Sequence, residues 1–307
     1  MNLALIIKTS LALLAFAGNS VLCRLALERG AIDPSSFTAV RLLSGAVTLI
    51  LIVVFLRLSS AREHNKVNVE GSSSSNPSNT HSISFKNSDW ISGLSLFVYA
   101  AGFSFAYITL PAGTGALILF AAVQITMLGV ALSTGTRFSA LQWLGFILAI
   151  VGLVYLFLPG ISAPPIIGSL IMMIAGIAWG VYSIKGKRVQ LPTLATTENF
   201  VRSLPFCIVL MLLSMNMLEL STYGIALAIA SGAITSGIGY AIWYAVLPNL
   251  KSASAATLQL TVPVIATIGG IIWLEEQLSL RLILSSCAIL GGVAMVVLSS
   301  QENKKAT

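Results

Sequence analysis

Asn19 and Ser20 stand in the middle of a long apolar run, and Gln124 and Gln259 stand inside two others. An amide or hydroxyl in an apolar medium must find a hydrogen-bond partner or cost free energy. Two arrangements satisfy these side chains. They can bond across to neighbouring helices, worth about 0.6–2 kcal/mol each. Alternatively they line a cavity, where an amide both donates to and accepts from a polar or zwitterionic solute. Trp179, Tyr182, Tyr240, Trp243 and Tyr244, with Tyr99 and Tyr107, form a second set. Tyr240, Trp243 and Tyr244 fall within one helical turn and can share a face. Such aromatics either wall a cavity or anchor helix ends at the membrane interface, where Trp90 and Trp143 fit better.

Four charges interrupt apolar runs: Arg24, Arg41, Glu198 and Arg202. Glu198 and Arg202 are spaced i, i+4 and can pair on one helix face. Arg24 and Arg41 both lie toward the outer end of their spans. They either extend to the lipid headgroups or pair structurally, and Arg41 alternatively closes an outer gate. Pro263 frees a backbone carbonyl and can kink its helix. Gly232, Ala233, Ser236 and Gly237 let neighbouring backbones approach closely. Enzymatic constellations are missing: His64 and His81 lie in one polar stretch, and no metal-ligand spacing, phosphate loop or nucleophile motif is present. Cys23, Cys207 and Cys287 each lie in an apolar run without metal-type spacing and read as packing residues. No metal, cofactor or catalytic residue is expected.

The elements that must position these residues follow from composition. The 307 residues are 56% hydrophobic and 9% charged, with a mean hydropathy of +0.93. Soluble domains carry about 25% charged residues, so this surface must face lipid. The net charge of +7 sits in short loops between apolar runs. That fits membrane topology and gives no reason to expect nucleic acid.

A bilayer core of about 30 Å needs roughly 20 apolar residues per helix, and ten segments qualify. They run near Thr9–Leu27, Pro34–Leu56, Trp90–Leu110, Gly113–Ser133, Ala140–Leu158, Pro165–Ile184, Thr193–Met217, Thr222–Leu247, Ala253–Leu274 and Leu280–Ser299. The first reads as a retained helix, without a small-residue cleavage site. Asp33-Pro34 suits a helix start, and Pro159-Gly160 and Pro164-Pro165 are turn signals. The stretch 59–88, with its serine run and both histidines, reads as a disordered loop. Placing the amino terminus in the cytoplasm puts Lys8, Arg57, Arg62, Lys66, Lys86, Arg137, Lys185, Lys187, Arg188, Lys251, Lys304 and Lys305 inside. Only Arg29 and Arg281 remain in outer loops. Both termini are therefore expected in the cytoplasm of a multi-pass protein of the inner membrane.

The halves resemble each other. At one constant offset Arg41 falls on Arg202, Arg24 on Lys185, and Gly18-Asn19 on Trp179-Gly180. At a second offset, shortened by the long loop of the first half, Ala116 falls on Ala256, Ser139 on Ser279 and Gly152 on Gly292. Five helices per half is an odd number, so the second half enters the membrane inverted. Inverted repeats place a solute site near the midplane. The expected fold is an all-α integral membrane protein of ten transmembrane helices in two inverted five-helix repeats, 1–160 and 161–307.

Several motifs resemble the EamA-type family of the drug/metabolite transporter superfamily, over nearly the whole chain. They are Ala17-Gly18-Asn19-Ser20, Phe37-Thr38-Ala39-Val40-Arg41, Gly115-Ala116-Leu117-Ile118, Ala255-Ala256-Thr257-Leu258, Val262-Pro263-Val264 and Trp273-Leu274-Glu275-Glu276-Gln277-Leu278-Ser279. The first half departs from the second, with Val123 at the position of Pro263 and Gly135-Thr136 at that of Glu275-Glu276. The resemblance implies a permease that exports or exchanges metabolites, amino acids or drugs by alternating access. The expected function is transport of a small metabolite, with drug efflux as the alternative. A facilitative channel lacks its continuous polar stripe, and a membrane enzyme or sensor lacks catalytic groups or a soluble domain. The expected partners are a small-molecule substrate and the lipid bilayer, with the protein a monomer or homodimer.

Overall fold

A computed structural model describes residues 3–69, 90–186, 189–250 and 252–305. It is 85% helical. Among the described residues, nine helices are long and apolar enough to cross a membrane, and Trp90–Ala106 is a shorter apolar helix. We number the spans α1 (Leu3–Glu28), α2 (Pro34–Val69), α3 (Trp90–Ala106), α4 (Ala112–Ser133), α5 (Ala140–Phe157), α6 (Ile166–Gly186) and α7 (Pro192–Leu213). The eighth, α8, covers Thr222–Asn249. The ninth, α9, comprises Ser252–Gln259 and Thr261–Leu274, and α10 is Leu280–Lys305. The protein is an all-α, ten-helix membrane protein. Leu51, Phe55, Ile147, Val151, Leu213 and Ile272 are exposed on its outer surface, where lipid replaces water as the favourable solvent.

Local chemistry sets the helix ends. Asp33 accepts from the backbone N–H of Ser35 and Ser36 at 3.0 and 2.9 Å, satisfying two of the orphan donors of α2. Ser139 caps α5 in a reciprocal box with Gln142. Ser279, its counterpart in the repeat, accepts from Leu282 N at 3.1 Å to start α10.

One expectation fails at the end of α2. The helix continues to Val69, whereas composition puts an unfolded loop from Ser59. No glycine or proline occurs between Ser59 and Val69, and Ala61, Arg62, Glu63 and Lys66 are strong helix formers. The rest of that loop, 70–88, lies outside the described residues, as do Lys187, Arg188 and Lys251.

Helix packing is symmetric between the halves. α3 packs on α6 as α8 packs on α1, α4 on α6 as α9 on α1, and α3 on α7 as α8 on α2. The remaining large interfaces, α2–α7, α4–α9 and α5–α10, pair each helix with its own counterpart. Glycine allows the closest of these approaches. A Cβ on Gly292 would lie 2.4 Å from the Gly145 carbonyl oxygen, so α5 and α10 touch backbone to backbone.

Two spans are irregular. In α8, π-helical turns occupy Ala230–Ile238, a stretch of small and hydroxyl-bearing residues. In α9 the helix breaks at Leu260. Pro263 has no N–H to offer the carbonyl of Gln259, four residues earlier, so the ladder is interrupted there. The kink assigned to Pro263 thus takes the form of a break one turn before it.

Candidate functional site

The two halves meet around a small, partly open cavity. Phe16, Asn19 and Ser20 of α1, Tyr99 and Phe103 of α3, and Leu119 and Phe120 of α4 line it from the first half. Trp179 of α6, Thr235, Ser236 and Tyr240 of α8, and Gln259 of α9 line it from the second. These are counterpart helices in the repeat: α1, α3 and α4 correspond to α6, α8 and α9. The open volume is about 40 Å³. A water needs about 10–15 Å³ by this measure, so the space admits water and is contracted around anything larger.

Asn19 serves both roles that its sequence context allows. Its side-chain oxygen accepts from Ser231 Oγ at 2.5 Å, and Thr235 Oγ1 lies 3.4 Å from the same atom. That ties α1 to the π-helical turns of α8. The residue also lines the space. π-helical turns inside α-helices occur frequently at functional sites, and here Thr235 and Ser236 on those turns line the cavity. Ser236 Oγ is buried and has no hydrogen-bond partner among the described residues. Gln259 reaches the cavity from the break in α9.

The aromatic residues form a stack. Trp179 lies 4.7 Å from Tyr99, 5.1 Å from Tyr182 and 5.6 Å from Tyr240, centroid to centroid. Tyr244 continues the stack 6.4 Å beyond Tyr240. Tyr182 donates toward Thr196 Oγ1 at 3.5 Å. Trp243 leaves this face. It meets Phe16 edge-on at 5.8 Å and packs with Ala12, Leu13 and Ala17 of α1. Of the nine residues expected at a cavity, Asn19, Ser20, Trp179, Tyr240 and Gln259 line this one. Gln124, Tyr182, Trp243 and Tyr244 do not. Gln124 is buried in α4. Tyr182 and Tyr244 lie one aromatic layer away.

The charges are held inside the protein. On the face opposite the chain termini, Arg24 pairs with Glu28 at 2.9 Å and reaches Glu276 at 3.7 Å. It also donates to the carbonyls of Tyr107 and Ile108 at 3.0 and 2.9 Å. Glu276, in the turn between α9 and α10, accepts from Ala112 N with both oxygens, at 2.8 and 2.9 Å, and so caps α4. Burial pushes its carboxyl above the ordinary range, and the Ala112 amide and Arg24 offset only part of that. One cluster therefore joins α1, the α3–α4 turn and the α9–α10 turn over the cavity. Beside it, an isolated antiparallel bridge joins Ile32 to Leu220. Of headgroup reach and structural pairing, Arg24 takes the pairing, and Arg41, 2% exposed, does not reach the surface. Glu198 and Arg202 pair at 2.9 Å on α7, as their spacing implies.

If the Arg24 cluster closes one face, Arg24→Ala should cost about 1.5–3 kcal/mol of stability, the range for hydrogen bonds to a charged group. It should also speed labelling of a cysteine at Ser20 by an impermeant thiol reagent from that face. Unchanged labelling at the same protein stability would make the cluster a brace rather than a closure.

Sequence reasoning missed Phe16, Phe103, Leu119, Phe120 and Thr235 as lining residues, and read Ser236 as helix packing alone. The aliphatic and phenylalanine members look the same as lipid-facing ones. The only sequence signal for Thr235 is the run of small and hydroxyl residues in α8.

Comparison with known proteins agrees with the helical membrane fold. Residues 166–298 match the model of the EamA-like transporter family. Protein PA1977 of Pseudomonas aeruginosa is 44% identical over 95% of this chain and 94% of its own length. The transporter YoaV of Bacillus subtilis is 22% identical over 89% of this chain and 90% of its own. One solved crystal structure covers 95% of this chain and 99% of its own, with a TM-score of 0.61 at 19% identity. That likeness concerns the fold alone.

Proposed function

The chain belongs to the EamA-like transporter family and is a membrane transporter, and from that premise we propose that it carries a small polar metabolite, an amino acid or related solute, by alternating access. One observation carries the reading. The polar and aromatic enclosure is built from the same three helices of each half, at their interface. A rocking motion of one repeat against the other would open it first to one face and then to the other. The Arg24 cluster is the closure on the face opposite the termini. The Tyr240–Tyr244–Tyr182 stack with Thr196 is the closure on the other. The repeats are 1–160 and 161–307, each presenting its face to the shared site.

The lysine and arginine bias supports an inner-membrane protein with both termini in the cytoplasm. Its partners are then the solute and the bilayer, with no nucleic acid and no cofactor, and the protein acts as a monomer or homodimer. Efflux of larger apolar compounds is the second reading, favoured by Phe16, Phe103 and Phe120 in the wall.

Transport is expected to run down the solute gradient. No aspartate, glutamate or histidine lines the cavity among the described residues. Glu198 is engaged by Arg202 and does not line the cavity. In proteoliposomes, a pH gradient without a solute gradient should give no net solute movement, whereas a solute gradient should. Uphill movement that persists in Glu198→Gln would overturn the facilitator reading.

A further inference from the structure

Arg41 is a buried cation directly behind the cavity wall. Its Nη2 donates to the Tyr99 hydroxyl at 3.0 Å. Its Cζ lies 4.9 Å from the Phe103 ring centroid and 5.3 Å from that of Tyr99. Both rings line the cavity. Nε and Nη1 are buried without a hydrogen-bond partner among the described residues. No acidic side chain pairs with it among the described residues. A guanidinium stays charged in proteins and carries five donors. Within a membrane such a charge ordinarily has a partner or serves the transport path.

The second half shows what the first lacks. Arg202, at the counterpart position, is held by Glu198 at 2.9 Å and by Asn199 Oδ1 at 3.3 Å. The counterpart of Glu198 is Phe37, and that of Asn199 is Thr38. Thr38 directs its hydroxyl to Pro34 O and Ser104. The two arginines sit in matching contacts. Gly93 of α3 abuts the Cβ of Arg202, and Gly232 of α8 abuts the backbone of Arg41. The first half therefore keeps the cation and replaces its carboxylate with a phenyl ring.

Building on the transporter reading above, we propose that the solute supplies the missing anion: Arg41 binds an oxyanion of the transported molecule, a carboxylate or phosphate, when the cavity is expanded. Rotation of the Tyr99 ring opens the path between Arg41 and the cavity. The same rotation releases Nη2 from the Tyr99 hydroxyl, and Nη2 with Nη1 or with Nε then offers two parallel donors, the geometry that matches a carboxylate or phosphate. Ser236 Oγ and Gln259 face the rest of the molecule.

The test uses the purified full chain in proteoliposomes. The probe is a ¹⁴C-labelled extract of small metabolites, divided by ion exchange into anionic, zwitterionic, neutral and cationic pools, with ³²P-labelled inorganic phosphate as a separate arm. Protein-dependent uptake is expected from the anionic pool, the zwitterionic pool or the phosphate arm, and these three arms separate carboxylates from free phosphate. Arg41→Gln should lower that uptake by about tenfold or more, and Arg41→Lys by less.

The decisive variant is Phe37→Glu, which places a carboxylate where Glu198 stands in the second half. It should melt at or above the wild-type temperature and lose oxyanion uptake to the same extent as Arg41→Gln. A purely structural Arg41 would tolerate that partner and leave uptake unchanged, which would overturn the proposal. Should Phe37→Glu fail to insert, the lysine and glutamine variants decide: equal uptake at equal melting temperature overturns it. Uptake confined to the neutral or cationic pools removes this inference and leaves the transporter reading standing. Silence in every arm removes both.

Discussion

Gly232→Val is expected to separate α8 from α2 and to destabilise the protein by about 3 kcal/mol or more, the upper range for overpacking a filled core. A Cβ at this position would lie 2.1 Å from the Arg41 carbonyl oxygen and 2.0 Å from Ser44 Oγ. The serine can rotate away, but the carbonyl belongs to the backbone of α2 and cannot. The helices must part, and the π-helical turns around Gly232 then lose their register with Asn19. Gly129→Ala and Gly291→Ala are the controls, because a Cβ at either meets nothing within 4 Å. Both should be as stable as wild type or slightly more so, since alanine favours helix over glycine. Thermal unfolding in detergent makes the comparison. A Gly232→Val protein that melts with the controls would mean that α2 and α8 are not in backbone contact.

Trp179→Ala should lower transport per folded molecule by about tenfold or more, equivalent to at least about 1.4 kcal/mol in the barrier. Trp179 contacts Tyr99, Tyr182 and Tyr240 at once and is the central ring of the cavity stack. Removing it leaves a hole that costs about 3–5 kcal/mol if the site cannot collapse. Stability and transport must therefore be measured separately. Trp179→Phe keeps a stacking ring and should recover most of the stability and a substantial part of the transport. If Trp179→Ala and Trp179→Phe transport at the wild-type rate per folded molecule, the stack is packing alone.

Much of this architecture can be read from residues because bilayer thickness and helix rise leave few choices. Ten apolar runs become ten spans, and Asp33 caps a helix where its position says it should. Polar residues in mid-span are costly, so Asn19, Ser20 and Gln259 were conspicuous, and they do gather at one cavity. Rotation about each helix axis is harder to read. Trp243 lies next to Tyr244 in sequence, yet it packs on α1 while Tyr244 stacks on Tyr240. Four-residue spacing keeps Tyr240 and Tyr244 on one face, but the cavity reaches only the first of them. The π-helical turns break the 3.6-residue period on which facing arguments rest, which hid Thr235. Arg41 was legible as an in-span charge. Its burial depends on what α3 and α8 place around it, which no single helix reveals.

The account turns on one cavity that opens to each face in turn. A cysteine at Ser236, in a chain whose three native cysteines are replaced by alanine, tests this with membrane-impermeant thiol reagents applied to either side of oriented proteoliposomes. Labelling is expected from both faces. A cross-link between cysteines at Glu28 and Glu276, locking the Arg24 closure, should abolish labelling from that face and preserve it from the other. Labelling from both faces with the closure locked, or from neither face in the unlocked protein, would contradict alternating access through this site.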